Sequence, residues 1–184
     1  MKTAKWIIDP THSEVSFKVK HLVISTVTGY FKKFEGYAES SSEDFDGATV
    51  GFTADIDSID TNQSDRDNHL KSADFFDAAN HPKLTFEGKI SNIGGEYKLI
   101  GELTMRATTK TVELDLEFGG VVGDPFGQTK AGFEISGKVN RKDYGLAWSA
   151  VTEAGSVVVS DQVRLLLNVQ LVKQAVEEEA EATA

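Results

Sequence analysis

The 184-residue chain reads as an all-β protein, a closed antiparallel β-barrel of about eight strands with one short helix inserted near residues 64–76. Three features predict this. Apolar and polar residues alternate along most of the chain, the period of a strand with one buried and one wet face. Turn signals separate most of these runs, so neighbours in sequence become neighbours in space. The alternation fails in one polar stretch that carries helical spacing instead.

Strand runs begin near 5–9 and 13–20, where Val15, Phe17 and Val19 lie opposite Ser16 and Lys18. Runs near 29–39 and 47–58 follow, the second with Val50, Phe52, Ala54 and Ile56 on one face. In the break, Ser64 can cap a helix whose first turn carries Asp65 and Asp67, carboxylates placed where backbone N–H groups lack partners. Leu70, Ala73 and Phe76 then predict an apolar stripe against the sheet. Pro82 bars continuation of that helix. Strands resume near 83–92, 96–106, 109–119, 128–140 and 161–173. Ile93-Gly94-Gly95-Glu96 reads as a tight hairpin and Asp124-Pro125-Phe126-Gly127 as a second turn. Val112, Leu114, Leu116 and Phe118 alternate with Glu113, Asp115 and Glu117. A long irregular segment from about Arg141 to Ser160 suits a lid, a binding loop or a plain crossing of one barrel end.

One domain over 1–173 accounts for nearly all of the chain, leaving 174–184 as an acidic tail with little to bury, expected to be disordered. The net charge is -10, and Glu177, Glu178, Glu179 and Glu181 supply four of those charges. An acidic body argues against nucleic acid and against electrostatic docking on anionic lipid. The absence of cysteine excludes a disulfide framework, a thiolate nucleophile and a cysteine zinc site. The residues before the first strand are too few for a secretory leader, so the chain as given reads as cytoplasmic, or as a periplasmic form whose leader has been removed. No apolar run approaches the roughly 20 residues of a membrane-spanning helix.

Function turns on whether the barrel is filled or hollow, since about eight strands permit either. The inward series Val50-Phe52-Ala54-Ile56, Leu99-Gly101-Leu103-Met105 and Phe133-Ile135-Gly137-Val139 each carry a small residue near the middle. At similar depth these leave apolar volume that is costly unless occupied. The competing reading makes Gly101 and Gly137 strand bends or close backbone approaches in a filled core. A guest must also be long. Each buried CH₂ contributes about 0.8 kcal/mol, and association costs roughly 4–15 kcal/mol. On those figures about five carbons barely hold, whereas about twenty bind usefully.

Several segments resemble the YceI-like family of polyisoprenoid-binding proteins. They are Asp9-Pro10-Thr11-His12-Ser13-Glu14-Val15-Ser16-Phe17, Gly29-Tyr30-Phe31-Lys32-Lys33-Phe34-Glu35-Gly36, and the stretch from Arg66 to Phe76 followed by His81-Pro82. Gly101-Glu102-Leu103-Thr104, Asn140-Arg141-Lys142-Asp143-Tyr144-Gly145-Leu146 and Val159-Ser160-Asp161-Gln162-Val163 complete the set, so the match spans about 6–172. The resemblance implies a lipocalin-like barrel enclosing an elongated apolar channel for isoprenoids or other long-chain amphiphiles. It also allows a homodimer, although no strand edge reads as an interface. Ala107 departs from the family, which usually has glycine in that turn, and many members carry a leader.

The expected function is a non-enzymatic carrier of a polyisoprenoid, isoprenoid quinone or fatty acid or amide, with no cofactor and no resident metal. Phe17, Val19, Phe31, Phe34, Phe52, Phe86, Leu103, Met105, Phe133, Ile135, Trp148 and Leu165 are the expected channel wall. Arg66, His69 and Arg141 are expected at the rim, where guanidinium suits head-group oxygens, unless carboxylates tie the arginines into the fold. Two alternatives stay open: a filled module acting through its surface or as a homodimer, and a metal-dependent enzyme using Asp65, His69 and His81. Adjacent His12, Ser13 and Glu14 point to opposite faces of a strand and form no relay. There is no G-x-S-x-G elbow.

Overall fold

A computed structural model describes residues 3–22, 24–146, 148 and 159–175. Its strands are β1 (Ala4–Ile8), β2 (Glu14–His21), β3 (Ser25–Phe31), β4 (Phe34–Ser40), β5 (Thr49–Asp55) and β6 (Ile59–Asp60). Helix α1 (Ser64–Lys71) follows, then β7 (Lys83–Ile93), β8 (Glu96–Met105), β9 (Thr108–Gly123), β10 (Thr129–Asn140) and β11 (Val159–Lys173). Every pairing is antiparallel, and β1 on β11 closes the sheet.

The eleven segments make eight staves, because three long strands are bent. β1 and β2 are one stave broken at Pro10; β1 pairs with β4 and β2 with β3, so β3 and β4 are the next stave. β5 and β6 form the third, pairing with β4 and β3. The first bend is set by Asp9, whose carboxylate accepts from Thr11 N–H at 3.0 Å and Thr11 Oγ1 at 2.7 Å. The next two are joined, Lys32 N–H donating to Ser58 O and Asp55 N–H to Lys33 O. Each stave then neighbours the next in sequence, the up-and-down order expected.

Ile93 pairs with Glu96 across Gly94 and Gly95, both at positive φ, as a two-residue hairpin requires. In the second turn the Asp124 carboxylate accepts from Phe126 and Gln128 N–H. The helix differs from expectation. Gln63, not Ser64, caps it, its side chain accepting from Arg66 N–H at 2.7 Å, and it ends at Lys71 rather than 76. Ser72 stops it: its Oγ donates to His69 O, and its own backbone is extended. No residue of α1 is fully buried, and of the expected stripe only Leu70, half-buried, comes from the helix. The chain folds back after it, Phe76 N–H bonding Leu70 O, and this turn buries Phe75 and Phe76.

Residues 149–158 of the late segment and 176–184 of the tail lie outside the described residues. Among the described residues, no helix is long and apolar enough to cross a membrane.

Candidate functional site

The barrel is hollow. A cavity of about 200 Å³ runs through its interior, walled by residues of every strand except β6. Alternation creates this wall by sending every second side chain inward. Phe17, Val19, Phe52, Val163, Leu165 and Leu167 keep exposed surface although they point inward, because they face empty volume. Almost nothing polar enters the lining, the main exceptions being Ser16, Tyr37 and Arg141.

The two ends differ. At the base, Phe45 from the β4–β5 loop is wholly buried against Trp6 and Phe133, ring centroids at 5.0 Å, and Phe118 at 5.5 Å. Phe118 and Phe133 stack at 5.0 Å where Gly120 and a bulge at Gly132/Phe133 let the strands shift register. This aromatic plug closes the base. At the other end Leu70, Phe75 and Phe76 join the lining below α1. His69 lies over Phe75 and Trp148, centroids at 5.1 and 4.8 Å, and its Nε2 meets Asp74 at 2.8 Å.

Ten of the twelve expected wall residues line the cavity: Phe17, Val19, Phe31, Phe52, Phe86, Leu103, Met105, Phe133, Ile135 and Leu165. Phe34 and Trp148 do not; Phe34 is buried against Phe52, and Trp148 packs on Phe75 and His69. The reason expected for the hollow is only partly right. Ala54 lines it, but Gly137 is covered by the side chain of Leu114, and Gly101 meets the backbone of Glu87 and Gly88 across β7. Those glycines are sites of close approach, and their neighbours use the space.

Of the three expected rim residues, Arg141 alone reaches the lining, and it is 4% exposed. Its Nε donates to Ser160 O, Nη1 to Leu146 O and Trp148 O, and Nη2 to Val159 O at 3.3 Å; Asp161 lies at 3.8 Å. Burial lowers its pKa, partly offset by Asp161. Arg141 thus joins Leu146 and Trp148 to the start of β11, largely through carbonyls rather than the expected carboxylate. Arg66 is spent on Thr61, donating to its Oγ1 and carbonyl. Among the described residues no three metal-ligating side chains are gathered; His81 lies 4.0 Å from Asp77, and His69 is taken by Asp74. Phe45, the ring packed behind Phe133 at the base, was invisible to the pattern because it sits alone in a polar loop, Ser40 to Gly47.

The model of the YceI-like domain matches residues 6–171. A UPF0312 protein of Staphylococcus epidermidis is 38% identical over 161 residues, covering 87% of this chain and 92% of its own. The solved YCEI protein of Campylobacter jejuni is 33% identical with a TM-score of 0.73, over 85% of this chain and 90% of that one. A polyisoprenoid binding domain from Saccharophagus degradans, at 15% identity and a TM-score of 0.70, covers 94% of this chain and all of its own; it shares the fold.

Proposed function

The chain belongs to the YceI-like domain family, and from that premise we propose that it is a non-enzymatic carrier holding the tail of one long-chain apolar amphiphile inside the barrel. The continuous apolar cavity carries this reading. At the roughly 10–15 Å³ that a water-sized group needs, about 200 Å³ takes some 13 to 20 such groups. Methylenes are of that size, so one chain of about thirteen to twenty carbons fills the space, with a gross transfer gain near 10–16 kcal/mol that exceeds most of the association cost. The S. degradans domain is described as polyisoprenoid binding, which makes an isoprenoid the first guest to try. Fatty acids and amides satisfy the same wall.

Protein purified without detergent, then examined by native mass spectrometry and solvent extraction, is expected to release about one long-chain lipid per chain. Release of none, together with no uptake of added polyprenyl or fatty chains, sinks the carrier reading. Val19→Glu puts a carboxylate into the apolar lining, at a cost of several kcal/mol if it stays charged and unpaired. It is expected to empty the protein while leaving the β-sheet spectrum intact. Full lipid retention by that variant removes Val19 from the binding wall.

A further inference from the structure

Charge is segregated along one side of the barrel. Lys138 on β10 pairs in register with Arg164 on β11, and Arg164 with Lys18 on β2. All three side chains are exposed, and none makes an ion pair among the described residues. Lys20 extends the row toward the cavity end at Val19 and Val159. Four residues back along the same strands stand Glu134, Asn168 and Glu14, again in register. Like charges placed opposite one another oppose strand pairing. Pairing acids with bases across these strands would remove that repulsion, yet the bases are collected at one end. Asp161, at the mouth end of β11, is already held by Lys142 at 3.2 Å and Arg141 at 3.8 Å.

Beside this row, the β2–β3 turn carries an apolar side chain into solvent. Ile24 is 84% exposed. Leu22 beside it is half-buried and holds a left-handed backbone, φ 54°, rare for a leucine. His21 and Ser25 pair at the base of the turn, about 10 Å along β2 from the lysine of the basic row. Cations flanking a protruding apolar tip are the composition of a surface that rests on anionic lipid, the bases meeting phosphates while the tip enters the headgroup boundary.

We propose that this face, Leu22 and Ile24 with Lys18, Lys20, Lys138 and Arg164, docks the barrel mouth on an anionic phospholipid bilayer. The overall charge of -10 opposes such contact at long range. Screening confines that repulsion to about a Debye length, ~8 Å in physiological salt, so the local row governs the docked state. The proposal rests on the carrier reading for its purpose, delivery or collection of a lipid, but vesicle binding itself does not need a loaded cavity.

Flotation with phosphatidylcholine vesicles, with and without phosphatidylglycerol, tests it. The intact chain is expected to float only with the anionic vesicles and to be released by salt. Each cation near such a surface is worth about fivefold in affinity, the fold equivalent of ~1 kcal/mol. Lys18→Glu with Arg164→Glu is therefore expected to weaken binding well over tenfold, and Ile24→Asp at least fivefold. All three positions are exposed, so folding is retained, checked by co-purified lipid and the melting temperature. No flotation, equal binding to neutral vesicles, or variants that bind like the parent each overturn the proposal. Binding that ignores Ile24→Asp and follows salt alone marks a simple polyanion contact and overturns it too. A barrel that floats but never carries lipid refutes the carrier reading instead.

Discussion

Glycines at 101 and 137 show how far an inward parity can be read at the level of single residues. Both lie on the inner face, but a Cβ at Gly101 would strike the carbonyl of Glu87, which is fixed backbone, whereas one at Gly137 would strike the end of Leu114, which can swing toward the cavity. Gly101→Ala is therefore expected to cost about 3 kcal/mol and Gly137→Ala about 1 kcal/mol or less, measured by urea unfolding. Reversal of that order would mean the Leu114 side has no room. The Arg106-Ala107 turn offers a gain instead. Both residues have positive φ, as a two-residue hairpin between Met105 and Thr108 demands. Arg106 is compensated, since its Nη1 donates to Ala73, Phe75 and Gly145 carbonyls. Ala107 is not, and bears roughly 1–2 kcal/mol of strain. After the extra chain entropy of glycine, Ala107→Gly should add about 0.5–1 kcal/mol, a melting point about 1–4 °C higher by calorimetry. Wall residues were legible because alternation fixes which way a strand side chain points. Trp148 lies outside that lining, in a loop that no such period governs.

Elements were legible where backbone and pattern agree, and less so where a local bond breaks a strand or helix. Neither the two bends joined through Ser58 and Asp55 nor the early stop at Ser72 follows from hydrophobic spacing; each depends on which partner a polar group finds. The bend between β1 and β2 shows how much one such group contributes. Asp9 accepts from His12 Nδ1 at 2.8 Å as well as from Thr11, and its pKa falls from 3.8 to about 2, chiefly through those two side chains. A depressed carboxylate stabilises the fold above its unfolded value and loses that contribution as pH falls through its folded value. Asp9→Asn keeps an acceptor for Thr11 N–H but has no charge to titrate. The stability difference between parent and Asp9→Asn should hold above about pH 4, shrink as pH falls and vanish only below about pH 2. A difference that does not change over that window would assign the bend to the cap alone.

For the molecule as a whole, the consequence of a plugged base is a limit on guest length. A tail entering beneath α1 extends until it meets Phe133 and the Phe45 ring behind it, and beyond that point added carbons stay in water. Across a saturated fatty-acid series, affinity should rise about fourfold per methylene, the equivalent of ~0.8 kcal/mol, and level off near eighteen to twenty carbons, the upper end of what a cavity of about 200 Å³ admits. Continued rise to much longer chains would show that the base opens. Phe45→Ala separates the plug from the rest of the wall. Phe45 is wholly buried but does not line the cavity, so its loss costs about 3–5 kcal/mol of stability as a buried aromatic truncated while removing no side chain from the lining. Its removal joins the vacated ring volume to the cavity floor beside Phe133. The plateau should then move to longer chains with the fourfold slope below it unchanged, read by displacement of a fluorescent fatty probe. An unmoved plateau in a folded Phe45→Ala protein would place the limit at the mouth and not at the base.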